Sequence, residues 1–360
     1  MYMAHADNPA ATPVSHEAAR QNPQALDPQA LDPQTGDPQA LEQLATKRTP
    51  SMRRSVIDRW VVSTDGVRLA TYSYGDPSHP TVLCVHGFPD DHRMWESVAA
   101  LLADEYHVVT FDMRGAGKSD RPSKIGDYTI SHLADDIASV ARTIADNGRV
   151  HLLAHNWGGA GAWDLALHPV DGLELLSLTT IGTASPEYYS AWVRDQLRLD
   201  WQHIRDLLSL WKTNTYMTLM QIPVITPTLF RLGVGDVAMN FAKWRFEKGT
   251  PPRDYGKHLA ARNRDGLRIY PANIYSQMFG GKPDRVTGQP RKPVPSLVIV
   301  PEHDKLFPPV AQSGAAEWAL DCRIRFVDGG HWLPLYQPDL VASMTREFVE
   351  EVEDRYPKSS

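Results

Sequence analysis

The sequence predicts an α/β protein with a mostly parallel central sheet, helices on both faces and a helical block inserted late in the chain. Three observations carry this prediction. Short apolar runs at residues 82–85, 107–111 and 150–154 alternate with helical spacing at 95–102 and 133–144, the rhythm of parallel strands joined by crossover helices. The runs end on His86-Gly87, Asp112 and His155-Asn156, and parallel sheets bind ligands beyond the carboxyl ends of their strands. Between residues 183 and 292 the rhythm gives way to helical, aromatic-rich segments, which read as an inserted cap.

Along the chain, residues 1–55 come first and are of a different kind. Asn22-Pro23-Gln24-Ala25-Leu26 returns in degenerate form from Asp27, Asp32 and Asp37, a five-residue repeat with a proline in each copy. Regular proline removes backbone donors, and so few apolar side chains cannot offset chain entropy. A disordered tail is the expectation, with a partner-docking segment as the alternative. Order should begin near Val56, with a hairpin of 61–63 and 67–72 around Asp65-Gly66. The strands at 82–85, 107–111 and 150–154 follow, then a helix from Trp157 towards Leu167 and a strand at 175–181. Beyond the inserted block come strands at 297–300 and 323–327 and a helix at 340–352, so that 56–182 and 293–354 form the core.

Composition narrows the function classes. The chain has 360 residues, 42% of them hydrophobic, enough for one large core. With 37 basic and 43 acidic residues the formal charge is −6, and no basic run appears, which argues against nucleic acid as a partner. Cys84 lies in an apolar run and Cys322 is the only other cysteine, so a reducing compartment is expected. The N-terminus lacks the pattern of a secretory signal, and no apolar stretch is long enough for a transmembrane segment. These features predict a cytoplasmic protein.

The residues after each strand carry the candidate chemistry. In His86-Gly87-Phe88-Pro89-Asp90 the glycine permits a tight turn that can aim the Phe88 N–H at an oxyanion; an ordinary β-turn is an equal reading. Asp112-Met113-Arg114-Gly115-Ala116-Gly117-Lys118-Ser119-Asp120 lacks P-loop spacing and reads as a loop bracing the site. Ala154-His155-Asn156-Trp157-Gly158-Gly159 stands between a strand and a helix, as a nucleophile elbow does, with small residues on either side of the central Asn156. Asp304 follows one late strand and His331, behind two glycines, follows the last. An acid that orients a histidine suits general-base work.

Together, His86-Gly87-Phe88-Pro89, the loop from Arg114 to Asp120, His155-Asn156-Trp157-Gly158-Gly159 and Gly330-His331-Trp332 resemble the epoxide-hydrolase branch of the α/β-hydrolase fold family. The likeness spans roughly residues 56–354 and is greatest to the hydrolase domain of actinobacterial proteins that also carry a short-chain dehydrogenase. No dehydrogenase domain is expected here, because the chain stops shortly after its last predicted helix. The resemblance implies an α/β-hydrolase fold, no cofactor and no metal; a homodimer stays open. The apolar cap stretch Met217–Leu232, most of it explained by core packing, suggests an apolar small-molecule substrate that is bulky or lipid-like. It also implies two cap tyrosines that donate to an epoxide oxygen. Tyr216, five residues before Gln221, and Tyr270, in Leu267-Arg268-Ile269-Tyr270, occupy those positions. Buried tyrosines more often satisfy core hydrogen bonds, and that alternative stands beside the functional one.

The family's nucleophile is an aspartate where this chain has Asn156. By resemblance, a carboxylate there would open the epoxide, and water activated by His331 and Asp304 would hydrolyse the resulting ester, with the Phe88 and Trp157 N–H groups holding the oxyanion. A neutral amide is a poor nucleophile. Four accounts of Asn156 stay open: a disabled hydrolase that binds apolar small molecules, deamidation by water activated at His331, direct water attack on a substrate held by the tyrosines, and an introduced substitution. A haloalkane dehalogenase would call for a halide-binding residue where Phe88 stands, and a serine esterase for serine at 156. The His303, Asp304, Asp328 and His331 group offers too few ligands in too hydrolase-like a context for a metal enzyme.

Overall fold

The computed structural model describes residues 57–187 apart from 146, residue 189, residues 217–279 apart from 218, 223, 248–254 and 257, and residues 294–313 and 321–356. The proline-rich segment 1–55 and Tyr216 lie outside the described residues. The strands are β1 (Arg59–Val62), β2 (Arg68–Tyr74), β3 (Thr81–Val85), β4 (His107–Phe111), β5 (Arg149–His155), β6 (Glu174–Ile181), β7 (Ser296–Pro301) and β8 (Cys322–Val327). They form one sheet in the order β1-β2-β4-β3-β5-β6-β7-β8. β1 and β2 make the antiparallel hairpin expected from Asp65-Gly66, and β2 runs antiparallel to β4. From β4 to β8 every neighbouring pair is parallel.

Strands covered on both faces read as unbroken apolar runs. β3, β4 and β7 are buried along their whole length, which is why they were legible as continuous runs. β8 is the edge strand and carries Arg323 and Arg325 on a half-exposed ribbon, a charge pattern that discourages edge pairing.

Two helical layers flank the sheet. On one side lie α2 (Ile130–Ile144) and α3 (Asn156–Leu167), on the other α1 (Glu96–Leu102) and α10 (Pro338–Arg355). Helix α2 buries Leu133, Ala134, Ile137, Val140 and Ala141, one stripe at helical period. Leu133 and Ile137 share a cluster with Trp163 of α3, while Trp95, Leu102, Val341 and Phe348 fill the opposite face. The predicted helix 95–102 starts as a 3₁₀ turn at His92–Trp95, whose first turn is capped by the Asp91 side chain.

Every described element between β6 and β7 is helical: α4 (Ile225–Arg231), α5 (Val234–Phe246), α6 (Leu259–Arg262), a 3₁₀ turn at Arg264–Arg268 and α7 (Ile269–Phe279). After β7 come α8 (Pro309–Ser313) and, following β8, α9 (Leu333–Tyr336). The chain runs from β3 to β4 on one side and places β5 on the other side of β3. Strand order therefore reverses between β3 and β5, which opens a crevice beyond their carboxyl ends.

The glycine-rich loop after β4 braces that crevice, as its sequence suggests. Arg114, fully buried, donates to both oxygens of buried Asp136 at 2.7 Å, to Asp65 at 2.8 Å and to the Asp127 carbonyl at 2.6 Å. Asp112 accepts from the Tyr72 hydroxyl, the His92 backbone N–H and the Lys118 backbone N–H, and its other ring partner is His92 Nδ1 at 2.7 Å. Asp91, His92 and Asp112 place candidate ligand atoms within 4.8 Å of one another. Both oxygens of Asp91 are held by the Arg93 guanidinium and His92 Nδ1 is paired with Asp112, while His92 Nε2 is buried with no hydrogen-bond partner among the described residues.

Candidate active site

Asn156 sits where β5 turns into α3, with φ of 52°. That left-handed conformation is costly for most side chains and tolerated by asparagine. The turn is crowded. A Cβ on Gly87 would stand 2.6 Å from Asn156 Cβ and Oδ1, and one on Gly158 would stand 2.2 Å from the His86 carbonyl oxygen. Both glycines are required for the two turns to meet. Gly158→Ala is therefore expected to lower stability by about 1–3 kcal/mol through overpacking, read as a shift of the urea midpoint at unchanged slope. A midpoint within error of wild type would refute this close fit.

The turn after β3 is fixed by His86, whose Nε2 accepts the Met113 N–H at 3.0 Å while Nδ1 donates to the Gly87 carbonyl at 2.8 Å. Phe88, preceding a cis peptide bond to Pro89, is buried in this turn. Its ring lies 5.8 Å from those of both Phe230 and Tyr270, and Trp157 meets Tyr270 edge-on at 5.3 Å. Met217 and Met220, part of the inserted block, pack against the same cluster. One wall of the crevice is thus apolar, with Tyr270 at the start of α7 as its polar component. Burial pushes the Tyr270 hydroxyl up to about 12, so it remains a neutral donor across the neutral range.

The other wall holds the ionisable groups. His331 Nδ1 lies 2.9 Å from Asp304 Oδ2, and His331 Nε2 lies 3.0 Å from Asn156 Nδ2. Asp304 is pinned in place. Its Oδ1 accepts the Leu306 and Phe307 N–H groups at 2.8 Å each, and its Oδ2 also accepts from Gln312 at 3.0 Å. With Nδ1–H given to Asp304, neutral His331 presents the Nε2 lone pair to the Asn156 amide. Burial opposes charge on His331, but Asp304, then Glu247 and Asp90, hold its pKa above the ordinary 6.5. Protonation turns Nε2 into a donor, and the amide must then offer Oδ1 instead. Among the described residues Asn156 Oδ1 is buried without a hydrogen-bond partner.

His155 is a second buried histidine, 4.7 Å from His331 between ring centroids. Its Nε2–H donates to the His331 carbonyl at 2.8 Å, and burial with His331 alongside pushes its pKa down to about 3. It therefore stays neutral and serves to hold the loop that carries His331.

Several residues given no role from sequence tie the inserted helices to this centre. Asp90, fully buried, accepts from Trp332 Nε1 at 3.0 Å and from the Tyr255 hydroxyl. Lys243 Nζ is 3.6 Å from Asp90 and 4.8 Å from the centroids of both Tyr255 and Trp332. Burial disfavours the charge of Asp90, yet Lys243 and the surrounding donors hold its carboxyl below the usual range. Glu247, at the end of α5, accepts the Trp332 N–H at 3.0 Å, and burial raises its carboxyl. Asn263 donates to the carbonyls of Pro89 and Asp90 and accepts the Gly117 N–H, so one side chain reads two loops. Asp90 and Trp332 close the motifs His86–Asp90 and Gly330–Trp332, whereas Lys243, Glu247, Tyr255 and Asn263 stand in no motif.

Of the residues singled out from sequence, Asn156, Asp304, His331, Tyr270, Phe88 and Trp157 converge on the crevice between β3 and β5. Chemically, a histidine–carboxylate pair meets the side-chain amide of residue 156, with aromatic side chains on one side and buried ionisable groups on the other.

Comparison with known proteins agrees with this architecture. A family model described as alpha/beta hydrolase fold matches residues 80–338. The chain is 32% identical over 306 residues to the protein named Probable oxidoreductase EphD of Mycobacterium tuberculosis, covering 84% of this chain and 51% of that protein. It thus spans about half the length of that relative. Epoxide hydrolase 3 of Xenopus tropicalis is 25% identical over 306 residues, covering 79% of this chain and 76% of the relative. An epoxide hydrolase of Bacillus megaterium, solved with an inhibitor, shares the fold with a TM-score of 0.65 at 18% identity, covering 81% of this chain and all of that one.

Proposed function

The chain belongs to the alpha/beta hydrolase fold family, on its epoxide-hydrolase-like branch, and from that premise we propose that its site opens an apolar epoxide to a diol once Asn156 has been converted to aspartate. The contact that carries this reading is the 3.0 Å approach of Asn156 Nδ2 to His331 Nε2.

The chemistry has two stages. In the carboxylate form, residue 156 attacks an epoxide carbon while Tyr270 and Tyr216 donate to the oxygen that departs, leaving an ester on the side chain. Water that has given a proton to His331 then adds to Cγ, with the Phe88 and Trp157 N–H groups as oxyanion donors and Asp304 stabilising the imidazolium; the ester C–O bond breaks, and the diol leaves with the proton from His331. An amide at the same Cγ presents the same problem as that ester. Water deprotonated by His331 adds to Asn156 Cγ, the C–N bond breaks, and ammonia leaves with the proton from His331. The product is the nucleophile. Amides hydrolyse more slowly than esters, so this step need occur only once per molecule.

The neutral amide also favours a second reading, a hydrolase scaffold that binds apolar small molecules without turnover. Intact-mass analysis with peptide mapping of aged protein separates the two. Wild type is expected to gain the mass increment of amide-to-acid exchange at position 156, and His331→Ala to remain an amide there over the same period. Persistence of the amide in wild type, together with ligand binding and no diol, would establish the binding reading instead.

A further inference from the structure

Helix α5 is amphipathic in the reverse sense. Its inward face carries charge: Asp236 accepts the N–H groups of Ala260 and Ala261, and Lys243 is buried against Asp90, Tyr255 and Trp332. Its outward face is apolar. Val234, Val237, Phe241 and Trp244 follow one another at spacings of three, four and three residues, which places them on one side of the helix. Val237, Phe241 and Trp244 are 71%, 60% and 75% exposed. The adjoining α4 extends the patch with Ile225 and Leu229, and Leu232 follows at its C-cap, all exposed. A surface helix ordinarily turns such residues inward, and a contiguous apolar patch of this kind marks an interaction surface.

Charge identifies the occupant. From Met217 to Phe246 the only carboxylate is Asp236, which is buried and engaged by backbone donors. The exposed charges of the same stretch are Arg231 and Arg245, both cations. A second copy of this chain, packing by two-fold symmetry, would bring cation against cation with no acid in the patch to answer it. An anionic lipid surface answers both features, because aromatic and aliphatic side chains enter the headgroup–acyl boundary while arginines pair with headgroup phosphates. No described helix is long and apolar enough to cross a membrane.

We propose that the outer face of α4 and α5 docks this protein on an anionic membrane surface. The inner face of α4 carries buried Phe230, packed on Phe88. Docking therefore sets the apolar wall of the crevice one helix away from lipid, a short route for an apolar ligand to reach the site. That last consequence rests on the functional reading above; the docking itself does not.

The test is co-sedimentation of the full chain with vesicles of phosphatidylcholine alone and of phosphatidylcholine with phosphatidylglycerol, with sedimentation velocity run in parallel. Wild type is expected to bind the anionic vesicles in preference to the neutral ones, and less at high salt. Arg231→Ala and Arg245→Ala should each weaken binding about fivefold. A Phe241→Ser/Trp244→Ser variant should lose it while keeping the wild-type unfolding midpoint, since both side chains are exposed. Failure of wild type to bind anionic vesicles at low salt overturns the proposal, as does binding that the Phe241/Trp244 variant retains. A concentration-dependent dimer abolished by the same variant, without vesicle binding, would assign the patch to a second copy. None of these readouts depends on turnover.

Discussion

Asn156→Asp is expected to raise the rate of diol formation from an apolar epoxide by on the order of 10⁴-fold or more over unconverted wild type, the scale of losing or regaining a covalent nucleophile. The expectation is specific because so little else has to change. Aspartate is isosteric with asparagine, the elbow already holds φ at 52°, and His331 Nε2 already stands 3.0 Å from the side chain. While residue 156 is a free carboxylate, protonated His331 donates Nε2–H to it and Nδ1–H to Asp304; once ester formation has consumed that negative charge, neutral His331 presents the Nε2 lone pair to water. The pH profile has a definite direction. His331 must be neutral to accept a proton from water, and Asp304, Glu247 and Asp90 hold its pKa above 6.5. The acid limb of the rate profile should therefore lie above pH 6.5, with activity falling as pH drops through it. Steady-state assays of the variant across pH check both points. A folded Asn156→Asp protein that binds epoxide and yields no diol would sink the assignment of this site.

Arg114→Met is expected to cost about 3–5 kcal/mol of stability, because it strands a buried carboxylate. Asp136 is 1% exposed and receives both of its short contacts from this guanidinium. The same side chain also ties Asp65 of the hairpin and the Asp127 carbonyl to the loop after β4. Denaturant unfolding reads the loss directly. Arg114→Met with Asp136→Leu should recover much of it, since removing both charges leaves nothing unpaired. A single-variant cost below about 1 kcal/mol, the range of exposed ion pairs, would show that the loop is braced elsewhere.

Much of the fold was legible because its strands are buried on both faces. β3, β4 and β7 carry no polar alternation that could be mistaken for loop, and α2 shows a clear apolar stripe. The elbow was legible for a steric reason. A strand-to-helix turn that crowds the His86 carbonyl admits only glycine at 158, so the small residue had to be written in the sequence. The clasp between core and inserted helices was not legible. Asp90 and Trp332 are 242 residues apart, and Asp90 and Tyr255 are 165 apart. No local pattern marks which buried carboxylate will meet which lysine or indole. Tyr216, singled out with Tyr270, lies outside the described residues, whereas Tyr270 stands in the crevice against Phe88 and Trp157.

By itself, the sequence determined the element order, the strand ends that carry chemistry and the identity of residue 156. These follow from local rules, namely burial periodicity and turn sterics, which act over a few neighbouring residues. Tertiary structure alone decided what surrounds Asn156: the histidine 3.0 Å away, the pinned Asp304 behind it and a carbonyl oxygen that has no hydrogen-bond partner among the described residues. It also decided that α5 turns its charges inward and its aromatics outward. Hydrogen-bond partners and the direction a helix faces depend on contacts between segments far apart in the chain, and those exist only once the chain has folded.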